Sequence, residues 1–100
     1  SEAGGLGSAA RIFSIAEAAR LPCIIGSMPE LGIGTAAQAH LAFAMPNLGY
    51  ASDVNGCVYH SGDVINEKLP IEDGYMLLPS GPGLGVSLDE AALDKYRIDR

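Results

Sequence analysis

Between Leu6 and Ser52 the spacing of apolar residues switches back and forth between a helical period and short continuous runs, and prolines or glycines mark the joints. Leu6, Ala9, Ile12, Phe13, Ala16 and Ala19 recur at intervals of three and four, while Arg11, Glu17 and Arg20 fall largely elsewhere, which predicts an amphipathic helix over 6–20. Pro22 is expected to stop it. Cys23-Ile24-Ile25 is too short for a helix and suits a strand buried on both faces. Gly32-Ile33-Gly34-Thr35 then leads into an Ala- and Leu-rich helix over 36–45, with Thr35 as N-cap and Pro46 closing the far end. A second short buried strand is expected over 48–52, ended by Asp53-Val54-Asn55-Gly56. Helix, strand, helix, strand with joints this short is the order of βα units in a parallel sheet, so the fold class is α/β.

After Gly62 the pattern changes. Leu69 to Glu72 and Tyr75 to Leu78 flank Asp73-Gly74, the dipeptide favoured in two-residue type I′ hairpins. Pro79-Ser80-Gly81-Pro82-Gly83-Leu84-Gly85 reads as a tight chain crossing; it has no Gly-Lys-Ser ending, so it is not a phosphate loop. Ser87-Leu88-Asp89-Glu90 reads as a capping box opening a last helix through Ala91, Leu93 and Tyr96.

Charge narrows the partners. The 100 residues carry a net charge of -6, which argues against a nucleic-acid partner. With 48% apolar and 18% charged residues the chain is expected to pack rather than to stay disordered. No apolar run reaches the roughly 20 residues that cross a bilayer, and the first residues lack the pattern of a signal peptide, so no membrane partner and a cytoplasmic location are expected. Cys23 and Cys57 fit free thiols better than a lone disulfide. Position 1 is Ser rather than Met, which is read as a cut or a tag junction.

Few groups carry chemistry. Ser27, His40 and Asp53 lack the Gly-x-Ser-x-Gly setting of a hydrolase, and His40 lies within a helix where a neighbour is expected to satisfy it. His60 reads as a loop residue. Glu30 follows the first strand at the edge where parallel α/β folds place their sites, just before a helix N-terminus that favours a carboxylate. Asp53 and Asn55 hold the same place after the second strand and, two apart, are expected to point the same way as one wall of a pocket. Lysine is scarce: only Lys68 and Lys95 occur, and residues 21–67 hold neither Lys nor Arg.

Gly4-Gly5-Leu6, Ile15-Ala16-Glu17-Ala18-Ala19, Gly26-Ser27-Met28-Pro29-Glu30, Gly32-Ile33-Gly34-Thr35-Ala36-Ala37, His40-Leu41-Ala42 and Pro82-Gly83-Leu84-Gly85-Val86, taken in that order, resemble the C-terminal portion of the enolase superfamily. The match is to its mandelate racemase/muconate lactonizing enzyme family, nearest the muconate cycloisomerase subgroup. The resemblance implies a capping domain plus a modified TIM (β/α) barrel. It makes residues 1–62 the last two βα units of that barrel, and 63–100 a return segment whose β-hairpin packs toward the capping domain. It further implies Mg²⁺, which holds a small carboxylate substrate while a lysine removes or returns the proton on the adjacent carbon. Carried onto this sequence, Glu30 is the catalytic glutamate ending the seventh strand. Ser27, Met28, Asp53 and Asn55 are the substrate-binding positions, with Asn55 standing where dipeptide epimerases have a second aspartate and Pro29 where an aliphatic residue is common.

On this resemblance the lysine base and every metal ligand lie upstream of Ser1, so the chain is expected to be the C-terminal piece of a homo-oligomeric enzyme, inactive by itself. Related racemases, dipeptide epimerases and hydroxyproline-type dehydratases share the same proton step, so the reaction stays open. A free-standing fragment acting as a binding module is the non-enzymatic alternative.

Overall fold

In the computed structural model, which describes residues 2–98, the first half of the chain alternates two helices with two extended segments. Ser1, and the reading attached to it, lies outside the described residues. Helix α1 spans Leu6–Ala18 and helix α2 spans Gly32–Ala44. A 3-10 turn follows at Gly56–Tyr59, then strands β1 (Ile71–Glu72) and β2 (Tyr75–Met76), and helix α3 at Glu90–Tyr96. No helix among the described residues is long and apolar enough to cross a membrane.

Pro22 does not stop α1. Arg20 adopts a left-handed φ of 57°. Its N–H donates to Glu17 O at 2.8 Å, and that of Leu21 donates to Ala16 O at 2.8 Å. These paired bonds form a Schellman turn, whose left-handed position is usually glycine. The apolar face of α1 is only partly used: Phe13 is buried, whereas Ile12 and Ile15 are exposed.

The two extended segments run parallel but share a single bridge, Cys23 opposite Leu48, in place of the two continuous strands expected. Cys23 N donates to Asn47 O at 2.8 Å, Gly49 N to Cys23 O at 3.1 Å and Asp53 N to Ile25 O at 2.8 Å. The ladder is interrupted because Ser52 Oγ takes the Ile25 N–H at 3.0 Å. The Cys23-Ile24-Ile25 run is covered on one face, not both. Adjacent residues of an extended chain point to opposite faces. Ile25 accordingly sits in the core at 7% exposure and Ile24 lies open at 59%.

Phe13, Ile25, Ala39 and Val54 form one buried cluster; Ala36, Ile65 and Leu69 form a second. Small side chains on α2 let both clusters approach its axis, and Met76 of the hairpin packs against each. The chain after Gly62 therefore folds back on α2. Its hairpin has the expected turn, with Asp73 at φ 49° and Gly74 at φ 82°. The strands are shorter than 69–72 and 75–78, since Pro70 has no N–H to donate and contributes only its carbonyl, to Leu77 N at 2.9 Å. The glycine-rich crossing is tight as expected, with Gly81, Gly83 and Gly85 all at positive φ, and His40 Nε2 lies 3.0 Å from Leu84 O. His40 is thus satisfied by a neighbour. Both cysteines are free.

Two caps differ from those expected. Helix α2 begins at Gly32, so Thr35 is not its N-cap; Thr35 is fully buried, and its Oγ1 donates to Glu30 O at 3.1 Å. Helix α3 is capped by Asp89, whose carboxylate accepts from Ala92 N at 3.0 Å. Ser87 instead donates its N–H and its Oγ to the two oxygens of Glu67, each at 2.7 Å. Beside that clamp, Asn66 N donates to Ser87 O and Asp89 N to Val64 O, which closes the tail on itself.

Two expected outcomes follow from these ends. Arg20→Gly, by relieving a left-handed residue that carries a Cβ, raises the unfolding free energy by about 0.5–1 kcal/mol in thermal denaturation. The Ser87 N–H, and next its Oγ–H, hold the Glu67 carboxyl below the ordinary value of 4.5. A depressed carboxylate stabilises above its unfolded value and loses that contribution as pH falls through the folded one. The protection of the Ser87 amide relative to its intrinsic exchange rate is therefore full near neutrality and is lost as pH falls through the Glu67 titration, a dependence that Glu67→Gln removes.

Candidate active site at the ends of the parallel segments

Glu30 is held by short-range contacts. Ser27 Oγ donates to its Oε2 at 2.5 Å, and Met28 N to its Oε1 at 3.4 Å. A Cβ on Gly34 would stand 2.7 Å from Glu30 Cβ and 2.9 Å from its Cγ, so the side chain lies across that glycine on the first turns of α2. Loss of hydration pushes the Glu30 carboxyl up, but the Ser27 hydroxyl, main-chain amides and the Gln38 side chain outweigh this and hold it below the usual carboxylate value. Glu30 is ionised at neutral pH and presents a fixed acceptor.

The loop after the second segment is latched to the same backbone. A Cβ on Gly56 would sit 2.4 Å from Glu30 N and 2.6 Å from Glu30 O. Only glycine permits that approach. His60 Nε2 lies 2.6 Å from Pro29 O. From further along, the Asp63 carboxylate reaches the start of α2: both of its oxygens lie 2.9 Å from Gly32 N, and Oδ1 also accepts from Val64 N at 2.7 Å. Asp63 supplies the negative charge and the acceptors that the helix N-terminus needs. It also pushes up the thiol of Cys57, to which burial contributes most.

Ser27, Met28 and Glu30 line an open cavity of about 520 Å³ together with Ile24, Gln38 and Leu6. Asp53 and Asn55 are not on that lining. Val54 between them is buried in the core, Asp53 is exposed, and Asn55 is half-buried with its Oδ1 enclosed and unpaired. The single wall expected from Glu30, Asp53 and Asn55 is thus two neighbouring loops joined through Gly56. The hydrolase triad does not form, since Ser27 pairs with Glu30 and His40 with Leu84 O.

Gln38 and Asp63 were not singled out by the sequence, and Thr35 only as a helix cap. Gln38 stands four residues after Gly34 in an Ala-rich helix, a spacing that places both on one face and is a usable signal. Asp63 gives no such signal, because its partner is 31 residues away.

Among the described residues no group of three or more His, Cys, Asp or Glu side chains is placed to hold a metal ion. Mg²⁺ prefers near-octahedral oxygen ligation, while the oxygens of Asp63 and Glu30 are engaged by backbone and hydroxyl donors. The residues present do not fit a Mg²⁺ site by themselves.

Residues 1–92 match the family model described as enolase C-terminal domain-like. The chain belongs to this family. Muconate cycloisomerase 1 of Rhodococcus opacus is 36% identical over 93 residues, which cover 93% of this chain and 25% of that relative. The N-succinylamino acid racemase of Thermus thermophilus is 38% identical over 86 residues, 85% of this chain and 23% of the relative. Among solved structures, muconate cycloisomerase from Pseudomonas fluorescens superposes with a TM-score of 0.90 at 34% identity, covering 96% of this chain and 27% of the other. The chain spans about a quarter of the length of the relatives it matches. It corresponds to a C-terminal portion of enolase-superfamily, TIM-barrel enzymes.

The latch between the loops has a direct test. Gly56→Ala drives a methyl group into the Glu30 backbone and lowers the unfolding free energy by roughly 1–3 kcal/mol, read as a lower denaturant midpoint at unchanged slope.

Proposed function

We propose that this chain is the C-terminal barrel portion of an isomerase of the muconate cycloisomerase type, one that removes or returns the proton on the carbon next to a substrate carboxylate. The observation that carries this reading is the Ser27–Met28–Glu30 knot: an ionised, anchored carboxylate on a cavity at the end of a parallel segment, in a chain of the enolase family. In this reading residues 1–62 are the last two βα units of the barrel and 63–100 the return segment, its hairpin facing the capping domain. The lysine base and the metal ligands lie on preceding polypeptide, and the partner subunits are further copies of the same enzyme. Mg²⁺ held by that preceding polypeptide would supply charge neutralisation at the substrate carboxylate.

Within this chain Glu30 is the catalytic residue. Its Oε2 is engaged by Ser27 at 2.5 Å and its Oε1 accepts the longer 3.4 Å amide contact, so Oε1 is the oxygen that accepts a hydrogen bond or a proton at the reacting centre. Ser27 and Met28 shape the pocket beside it. Asp53 and Asn55 contact the part of the substrate that reaches the next loop. A racemase acting on N-succinylamino acids is the second reading, favoured by the 38% identity to the Thermus enzyme.

In the full-length enzyme Glu30→Gln keeps the shape of the side chain and removes its charge. Exchange of the substrate proton for deuterium then falls by roughly 10²–10⁴-fold, with the thermal midpoint nearly unchanged. Unaltered exchange in that variant overturns the assignment of Glu30. Assaying muconate against N-succinylamino acids separates the two readings.

A further inference from the structure

Glu30 leaves the chain between two carbonyls that are both held by side chains from elsewhere. On one side Thr35 Oγ1 donates to Glu30 O at 3.1 Å; on the other, His60 Nε2 lies 2.6 Å from Pro29 O. A carbonyl oxygen only accepts, so Nε2 carries the hydrogen of that pair. The identity of residue 29 gives this bond its effect. A residue has two soft backbone angles, and the ring of Pro29 already fixes one of them, φ. The remaining angle turns the Pro29–Glu30 peptide plane, and a bond to Pro29 O sets it.

His60 is itself well anchored. Three residues on, the Asp63 carboxylate takes Gly32 N at 2.9 Å, and Gly62 packs so closely against Tyr96 of α3 that a Cβ has no room there. Segment 60–63 therefore grips the chain at 29 and again at 32, once on each side of Glu30. The two grips differ in kind. Asp63 satisfies a helix start, which the fold needs. His60 and Pro29 are both exposed, and a hydrogen bond between such groups adds only modestly to stability. What the His60 bond supplies is direction.

We propose that His60 is a positioning residue for Glu30: by holding Pro29 O it fixes the peptide from which Glu30 departs, and with it the direction in which the Glu30 carboxylate meets the cavity. The consequence for catalysis rests on the reading of Glu30 given above; the hold on the peptide does not.

The test uses the full-length enzyme. His60→Leu removes the donor, and His60→Gln offers an amide N–H at nearly the same reach; if the Leu variant does not fold, His60→Phe, a flat ring without a donor, replaces it. The Glu30 backbone amide, followed by NMR with ¹⁵N-labelled glutamate, reports the peptide plane, and exchange of the substrate proton for deuterium reports the carboxylate. In His60→Leu the Glu30 amide signal is expected to shift and kcat to fall about 10-fold at nearly constant KM, because a misplaced group costs rate more than binding. His60→Gln restores most of both, and the thermal midpoints stay close to that of the parent, a pattern that a merely structural histidine does not give. An unmoved Glu30 amide in His60→Leu overturns the proposal, as does a loss of kcat that His60→Gln leaves in place or that persists undiminished in the Glu30→Gln background. Glu30→Gln alone separates this proposal from the reading of Glu30. If it cripples exchange while His60→Leu leaves kcat intact, His60 does not position Glu30. If the Glu30 amide moves and neither substitution alters exchange, His60 does hold the peptide, and Glu30 is the residue removed from the reaction.

Discussion

The start of α2 is the point on which the rest of the molecule bears. An N-terminal helical turn leaves N–H groups without helical partners, and here no local side chain caps them. Asp63 fills that need from 31 residues away, which fixes where the later part of the chain passes the helix. Thr35 turns its hydroxyl back onto Glu30 O, and Gly56 lies against the same peptide from the opposite loop. One short stretch of backbone thus collects contacts from α2, from the loop after the second parallel segment and from the tail. The Glu30 side chain departs from that stretch, so its position inherits the rigidity of all of them.

The elements set by local rules were legible. The spacing of Leu6 through Ala19 places α1, and Asp73-Gly74 places the hairpin with its register, since both depend on residues within a few positions of each other. Interactions with a distant or unusual partner were not. Arg20 in the left-handed position of a Schellman turn hides the end of α1, because glycine is the expected mark of that turn and Pro22 stands nearby as a plausible stop. Ser52 Oγ breaks the parallel ladder by a side-chain bond that no periodicity reports. Ser87 fits a capping box by spacing, yet Glu67, twenty residues away, draws it off and leaves the cap to Asp89.

The same division holds at the site. Ser27 and Glu30 are three apart, and their bond is local, so the order of residues after the first segment was enough to group them. Asp53 and Asn55 were placed correctly on the neighbouring loop, but alternation alone gave them a common environment. The fold separates them, leaving Asp53 open and Asn55 with an enclosed oxygen. Gln38 draws no notice in the sequence, and its bond to Gly26 O forms only where the tertiary fold brings that carbonyl within reach.

Met76 packs against both buried clusters, one centred on Phe13 and Ile25 and the other on Ala36 and Ile65. A single flexible thioether chain fits two irregular surfaces at once. This makes the hairpin a mechanical coupling between the cluster around Phe13 and Ile25 and the cluster around Ala36 and Ile65. Neither cluster can open as an isolated subunit of the structure without disturbing Met76, so the chain's local openings merge into one cooperative unit that spans both halves.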